Sequence, residues 1–294
     1  MNPKKVDKAA IAVLYVLAAL IVLILASLLA FILIRGIPQF SWEFFTQPAK
    51  TFEEGGGIII QLFNSFYMLL ITLLISTPVA LGAAIYLSEY APQNALTDFI
   101  RTAIEVLSSL PSIVVGLFGY LIFVIQWGFG FSILSGSLAL MIFNLPLLTR
   151  TIEDALRAIP GAQREAGLAL GLSRWETVTR IVLPAAMPGI LTGVILSAGR
   201  IFGEAAALIY TAGQSAPALD FTNWNPRSIS SPLNIMRPAE TLAVHIWKVN
   251  SEGIMPDGAE ISAGASAILI LAVLLFNLLA RYLGRKLQQK LTSA

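Results

Sequence analysis

The sequence predicts an all-α, polytopic membrane protein with six transmembrane helices, and two observations lead to this fold class. Of its 294 residues, 56% are hydrophobic and only 12% are charged, and the mean hydropathy of +0.78 is too high for a soluble domain of this size. Apolar stretches also recur at about the length of 20 residues that a helix needs to cross a hydrocarbon layer of about 30 Å. The predicted spans are Ala9–Ile34, Ile58–Leu87, Ser108–Trp127, Phe131–Leu148, Met187–Ile209 and Ile261–Leu283.

The ends of two predicted spans need separate justification. The third apolar stretch, Ser112–Trp127, is the shortest, and we begin the span earlier, at Ser108, because Pro111 fits the first turn of a helix. The first span follows a basic segment, as a signal peptide does, but its apolar stretch far exceeds the 7–15 residues typical of one. We therefore interpret it as an uncleaved anchor, and residues 1–294 as a single membrane domain.

The placement of Lys and Arg predicts the orientation, because cytoplasmic loops carry an excess of both. Most of them fall in segments that are cytoplasmic if the N-terminus is inside. This topology places both termini and a loop at about 150–186 in the cytoplasm, and a loop at about 211–260 outside. The sequence pI of about 8.9 then reflects topology, so nucleic acid is not an expected partner. Within the outer loop, Ala239–Val249 has the spacing of a short helix, in which His245 is expected to be a surface or packing residue and not a ligand.

Several kinds of chemistry lack the residues that they require. The chain has no cysteine and one histidine, which excludes disulfides, thiolate metal sites and His-rich metal centres. It also lacks a Gly-x-x-x-x-Gly-Lys-Ser/Thr phosphate loop, a Gly-x-Ser-x-Gly elbow and a His-Glu-x-x-His motif. The sequence therefore predicts neither an enzyme nor a cofactor or metal bound by this chain.

The loop at about 150–186 has the signals of two short helices. Pro160-Gly161 ends the helix that continues from the fourth span, Gly171 is a typical helix stop, and Ser173 with Glu176 forms a capping box. The second short helix is expected to carry Trp175, Val178 and Val182 on one stripe and to end at Leu183-Pro184. Two such helices are too small to bury their apolar face alone. They require a protein partner or, alternatively, rest on the lipid surface as an amphipathic element.

This loop resembles the EAA loop of the membrane subunits of bacterial ABC importers. The matching residues are Glu165, Ala166, Gly167, Gly171, Ile181, Leu183 and Pro184, with Gly167 where the family usually has Ala. The resemblance implies a type I importer permease fold and a loop that inserts into a groove on a separate ATPase. By that resemblance ATP and Mg²⁺ are bound by the ATPase, and this chain binds no cofactor. The small residues Ala166, Gly167 and Ala169 are expected to let the partner's backbone approach closely.

Two charged residues, Arg200 and Glu204, fall inside the fifth predicted span. An arginine at this depth costs about 2.5–3.5 kcal/mol on insertion scales, and such residues usually face a bundle interior or a water-filled cavity. At positions i and i+4 of one helix the two side chains can pair. We expect Arg200 to present its donors to an oxyanion on the translocation path while Glu204 neutralises and orients it. The alternative is an ion pair with a purely structural role.

Further segments resemble the PstA family of phosphate importer permeases. They are Glu54–Ile58, Ala84–Ala91, Leu110–Gly119 and Gly203–Ala206. The resemblance implies a heterodimer with a sister permease, two cytoplasmic ATPase copies, an extracytoplasmic phosphate-binding protein, inorganic phosphate as substrate and a bacterial inner-membrane location.

A sulfate or molybdate permease is an alternative, weakly disfavoured because sulfate gains nothing from a carboxylate acceptor such as Glu204. Another alternative is an ion-coupled secondary transporter or channel in which Arg200 and Glu204 form a proton or ion relay. Such folds often show inverted repeats, and none is evident in the sequence. A membrane scaffold would make Arg200 and Glu204 dispensable.

Overall fold

A computed structural model describes residues 3–50 and 52–292, and within these ranges the regular structure is helical. Strand-like pairing there is limited to an isolated bridge between Ala49 and Gly56. The prediction of an all-α fold is confirmed. The helices are α1 (Pro3–Gly36), α2 (Trp42–Thr46), α3 (Ile59–Ile85), α4 (Ala95–Ser108), α5 (Ser112–Gly119), α6 (Ile133–Arg157), α7 (Gly161–Ala169), α8 (Arg174–Thr177), α9 (Leu183–Phe202), α10 (Ala206–Thr211), α11 (Leu242–Glu252) and α12 (Gly258–Thr292). Wider π-type turns extend α3 over Tyr86–Tyr90 and α5 over Tyr120–Gln126, and join α8 to α9 over Val178–Val182.

Five helical runs in the described ranges are long and apolar enough to cross a membrane. They are Ile11–Gln39, Ile59–Tyr90, Ile133–Arg157, Arg174–Phe202 and Gly258–Leu287. A sixth crossing is possible where α4 and the extended α5 are considered together, although the two are bent by 98° at Ser109–Pro111. The third predicted span therefore corresponds to the short run Ser112–Gln126. It is preceded by helix α4, which is not among the predicted spans.

The fifth predicted span, Met187–Ile209, is not one helix. Helix α9 ends at Phe202, the chain turns at Gly203–Ala205, and α10 then begins at Ala206. At its other end, α9 continues without a break from α8, so Leu183-Pro184 does not end a helix as expected. The π-type turn Val178–Val182 directly precedes Pro184, and such a bulge lets a helix continue where the regular bonding pattern cannot be completed.

Helices α3 and α6 form the centre of the bundle and run in the same direction. Near their first residues, Met68 of α3 and Leu140 of α6 belong to one buried apolar cluster. Near their last residues, Ala84 and Ile152 belong to a second cluster together with Val182. Both helices therefore end at the same side of the molecule, which carries α7 and α8. We call this side the loop end, and the side where α11 packs the opposite end.

Candidate functional site

Helices α7 and α8 form a hairpin at the loop end. Pro160 precedes α7, and Gly171 follows it in the left-handed conformation with φ of +82°, as expected. The Leu172 amide donates to the Gly167 carbonyl at 3.2 Å, which closes the end of α7. The capping box of Ser173 and Glu176 is confirmed, because each side chain accepts a hydrogen bond from the other residue's backbone amide.

Gly167 faces the inside of this hairpin and not an external partner. A Cβ atom on Gly167 would lie 2.7 Å from Ile181 Cδ1 and 2.9 Å from Thr177 Cγ2. The missing side chain thus lets α7 pack against the run that follows α8. The expectation that Gly167 makes room for a partner's backbone is wrong, whereas Ala166 and Ala169 are exposed as that expectation requires.

The outer surface of the hairpin is apolar. Leu170 and Trp175 are 81% and 58% exposed, and Leu168 is 52% exposed. The three residues expected to share one stripe of the second helix do not lie on the same face. Val178 and Val182 are buried in the second apolar cluster, with Ala84 and Ile152, whereas Trp175 is exposed. Of the other residues that match the EAA pattern, Glu165, Gly171 and Pro184 are exposed, and Ile181 and Leu183 are half-buried. The exposed residues of the EAA pattern therefore lie on the surface of the same segment as the exposed apolar side chains of Leu168, Leu170 and Trp175.

The hairpin is fixed to the bundle by arginines that the sequence analysis did not single out. Arg164 of α7 donates through Nε and Nη2 to the Glu89 carboxylate, with a shortest distance of 2.7 Å. Arg174 of α8 donates to the Glu89 carbonyl and lies 4.9 Å from the centre of the Tyr90 ring. The sequence signal was a single carboxylate in the otherwise apolar stretch Ala84–Ala91. Its partners could not be identified, because Arg164 lies 75 positions away.

Arg200 lies near the end of α9 and stacks on an aromatic ring of α6. Its guanidinium carbon is 4.0 Å from the centre of the Phe143 ring. The side chain is half-buried, and no carboxylate in the described ranges lies within the 4.0 Å ion-pair distance of its nitrogens. The predicted ion pair with Glu204 is therefore absent from this structure.

Glu204 has a different contact because the helix breaks before it. Its Oε1 accepts a hydrogen bond from the Ala207 amide at 3.2 Å, at the start of α10. An acceptor at this place satisfies one of the amides that the first turn of a helix leaves without a partner. Gly203 within the break is exposed, and Glu204 is half-buried. Glu204 thus stabilises the irregular backbone next to Arg200 and does not neutralise that residue.

A second charged cluster lies at the opposite end. Glu240 is 5% exposed and bonds Gln61 of α3 at 3.0 Å and His245 of α11 at 3.1 Å, while Lys248 lies 3.7 Å away. Burial raises the pKa of Glu240, but the hydrogen bond and charge of His245, then the charge of Lys248 and the bond from Gln61, bring the pKa below its ordinary value. His245 is therefore a buried member of this polar cluster, where its Nδ1 contacts the Glu240 carboxylate.

Arg237 completes the polar interior at this end. It is 1% exposed, and it donates to Asn64 Oδ1 of α3 at 2.8 Å and to the carbonyls of Ser231, Pro232 and Pro238. Burial lowers the pKa of Arg237 to about 10, while the charge of Tyr67 acts in the opposite sense. The guanidinium therefore stays charged near neutral pH. It ties the irregular segment that precedes α11 to the first half of α3.

Comparison with known proteins identifies the family. The family described as binding-protein-dependent transport system inner membrane component matches residues 76–293. The probable ABC transporter permease protein YqgI of Bacillus subtilis is 54% identical over 293 residues, with 100% of both chains covered. The phosphate transport system permease protein PstA of Pasteurella multocida is 34% identical over 247 residues, which cover 84% of this chain and 83% of that protein.

Solved structures show the same fold at low sequence identity. A chain of a bacterial alginate ABC transporter superposes with a TM-score of 0.66 at 15% identity, covering 97% of this chain and 96% of its own. A chain of the inward-facing MetNI methionine ABC transporter gives a TM-score of 0.61 at 16% identity, covering 78% and 95%. Permease subunits of this kind are not enzymes, since the ATPase is a separate subunit. The chain belongs to the family of binding-protein-dependent transport system inner membrane components and is a multi-pass permease subunit of an ABC importer.

Proposed function

We propose that this permease subunit imports inorganic phosphate and that Arg200 binds the anion on its path. The observation that carries the proposal is the Arg200 guanidinium, which stacks on Phe143 and has no carboxylate partner among the described residues. A planar guanidinium offers donors in a geometry that suits phosphate oxygens. The similarity to PstA permeases supports phosphate as the anion.

The position of Arg200 in the bundle fits a translocation path. Phe143, on which it stacks, lies ten residues beyond Ile133, the first residue of α6, which places both side chains about 15 Å along that helix. A charged group at such depth in a membrane normally faces a protein interior or a water-filled cavity. Arg200 is half-buried by its own chain, so its remaining surface faces the path or the sister subunit.

The break at Gly203 supports the same assignment. Backbone that leaves the helical pattern at membrane depth is tolerated only inside protein or beside a water-filled cavity, because its polar groups need partners. Gly203 is exposed in this chain, three residues from Arg200. In our proposal the exposed backbone and the guanidinium line one polar passage.

The α7–α8 hairpin is proposed as the docking surface for the ATPase. Its exposed residues Leu168, Leu170 and Trp175 offer apolar area, and Glu165 offers a carboxylate beside exposed Ala166. This assignment places the loop end and both termini in the cytoplasm and the opposite end outside. The assembly contains one sister permease, two ATPase copies that hold ATP and Mg²⁺, and a binding protein that delivers phosphate. A cysteine introduced by Ala166→Cys into this cysteine-free chain should crosslink to the ATPase and not only to lipid.

Sulfate is the alternative substrate that one structural observation favours. A protonated phosphate needs an acceptor, which the sequence analysis assigned to Glu204, but Glu204 caps α10 and does not pair with Arg200. The site as observed therefore offers donors alone, and a fully ionised oxyanion such as sulfate needs nothing more.

The experiment compares anions in the complete complex reconstituted with its binding protein. We expect phosphate, and not sulfate or molybdate, to stimulate ATP hydrolysis and to be taken up. Arg200→Gln should lower uptake at least tenfold while the ATPase stays bound, because the path loses its anion donor. Arg35→Gln is the matched control, since Arg35 also stacks on a ring, that of Phe31 at 4.7 Å, but is exposed at the end of α1. Undiminished uptake by Arg200→Gln would remove Arg200 from the mechanism, and stimulation by sulfate alone would overturn the choice of phosphate.

A further inference from the structure

The last turns of α3 and α6 end side by side at the loop end. The final carbonyl groups of a helix have no partner within the helix and carry partial negative charge. Here the carbonyls in question belong to Leu87 and Glu89 in the extension of α3, to Leu156 in the last turn of α6, and to Ile159 two residues beyond it. Arginine side chains from neighbouring elements donate to all four.

Arg164 of the hairpin binds both helix ends at once. Its Nη1 donates to the Ile159 carbonyl at 2.6 Å, and its Nη2 donates to the Leu156 carbonyl at 2.8 Å, so that α7 is fixed to the end of α6. Its Nε and Nη2 donate to the two oxygens of the Glu89 carboxylate, which fixes α7 to the end of α3. Glu89 is 8% exposed, so this charge-assisted contact is shielded from water.

The second helix of the hairpin binds the same segment of α3. Arg174 of α8 donates to the Glu89 carbonyl and stacks on the Tyr90 ring. Chain connectivity joins the hairpin to α6 on one side and to α9 on the other. Helix α3 is distant in sequence, so its connection to the hairpin depends on side-chain contacts such as these.

We propose that Glu89 is a positioning residue through which movement of the hairpin is transmitted to α3. When the ATPase displaces the hairpin, the Arg164–Glu89 pair makes the loop ends of α3 and α6 follow it as one body. Without the pair the hairpin still docks, but α3 follows its movement less closely, because only the contacts of Arg174 with the Glu89 carbonyl and the Tyr90 ring remain. This inference rests on the proposed docking function and adds the contact that links that surface to the centre of the bundle.

The test uses the complete complex and measures two quantities separately. ATPase docking is measured by crosslinking from Ala166→Cys, and coupling by the number of anions imported per ATP hydrolysed. Glu89→Gln keeps the shape of the side chain but loses its charge. We expect it to retain docking and ATP hydrolysis and to lower the coupling ratio at least fivefold.

A double variant distinguishes a loss of coupling from a loss of stability caused by leaving a buried charge unpaired. Glu89→Gln alone leaves Arg164 partly buried without its counter-ion, which destabilises a protein for reasons unrelated to movement. Glu89→Gln with Arg164→Gln removes both charges. We expect the double variant to regain thermal stability and to keep the lowered coupling ratio, because the link between α7 and α3 is still missing.

The matched control is Glu105→Gln. Glu105 also joins two helices at the loop end, pairing with Arg150 at 3.3 Å, but both side chains are more than half exposed and neither contacts the hairpin arginines. This variant should transport as the unmodified complex does. Normal coupling in Glu89→Gln, or restored coupling in the double variant, would overturn the proposal. Loss of crosslinking in the otherwise unmodified complex would instead contradict the docking function on which it rests.

Discussion

The guanidinium carbon of Arg200 lies 4.0 Å from the centre of the Phe143 ring, and this contact joins α9 to α6. A ring under a guanidinium stabilises the cation and covers its flat face. The N–H donors point outward in the plane of the group, and a stacked arginine therefore keeps them available. Phe143 thus holds Arg200 in one orientation without the neutralising carboxylate that the sequence analysis expected.

Phe143→Leu should weaken binding of the transported anion. Leucine fills much of the ring's volume but lacks its π face, so about 0.5–2 kcal/mol of cation–π stabilisation is lost. We expect the KM for uptake to rise between about twofold and thirtyfold, with little change in the amount of assembled complex. Phe118→Leu, at an exposed ring on α5, is the control. An unchanged KM in Phe143→Leu would show that the stacking does not position Arg200.

Gly167→Ala should strain the hairpin, and a second change should relieve the strain. The added methyl group would meet Ile181 Cδ1 at 2.7 Å and Thr177 Cγ2 at 2.9 Å. The end of the long Ile181 side chain can move aside, whereas the branched Thr177 side chain cannot easily rotate away. Overpacking of this kind costs about 1–3 kcal/mol. Thr177→Ala opens the space at small cost, because the Thr177 hydroxyl is buried without a hydrogen-bond partner.

Hydrogen exchange of the α7 and α8 amides in the purified complex measures this effect. We expect faster exchange in Gly167→Ala, and a return toward the original rate when Thr177→Ala is added. If the two changes act independently, the close contact inside the hairpin does not limit its stability.

The signals that predicted structure well were local in sequence. The capping box of Ser173 and Glu176, and the left-handed turn at Gly171, each depend on a few neighbouring residues, so the sequence alone indicates them. The long apolar runs likewise identified most of the membrane-crossing helices. Physical patterning predicts these features because the interactions that create them lie within one or two helical turns.

The features that were missed depend on contacts distant in sequence. The break at Gly203 places α10 against α5 and α6, and the Ser132 amide donates to the Thr211 carbonyl at 3.2 Å. The residues between Met187 and Ile209 do not by themselves indicate that the helix breaks or that α10 packs against α5 and α6. The pairing of Glu89 with Arg164 was missed for the same reason, because a carboxylate in an apolar stretch does not reveal which of many arginines it meets.

Gly116→Ala should separate α5 from α10. The added Cβ would lie 2.7 Å from the Ala207 Cα and 3.0 Å from its carbonyl oxygen, and backbone atoms cannot move aside unless the helices do. Small residues such as Gly116 are what lets two helices in a membrane approach this closely. We expect the detergent-purified complex to lose several degrees of thermal stability and to transport less, since α10 follows the break beside Arg200.

Gly82→Ala is the matched control for that change. Gly82 lies within helix α3, and no atom outside its own helical turn lies within 4 Å of the position that its Cβ would occupy. Alanine favours a helix over glycine by about 1 kcal/mol, so this variant should be as stable as the original chain or slightly more stable. Equal losses in the two variants would mean that the α5–α10 contact is not specially close.

Glu240→Gln should remove a part of the stability that depends on pH. The pKa of Glu240 lies below its ordinary value in the folded protein, so the carboxylate stabilises the fold fully above the ordinary glutamate pKa. That contribution is lost as the pH falls through the lowered pKa, because the folded protein must then accept the proton. The variant should therefore be less stable than the original chain at pH 7, by on the order of 2 kcal/mol.

The expected sign can be checked by following thermal unfolding of both proteins from pH 7 downward. Their difference should be largest at neutral pH and should shrink toward acid, since Glu240, once protonated, resembles glutamine. Glu252→Gln is the control, because Glu252 is exposed on the same helix, α11. A difference that stayed constant, or grew, toward acid pH would show that the ionised form of Glu240 does not stabilise the cluster with His245, Lys248 and Gln61.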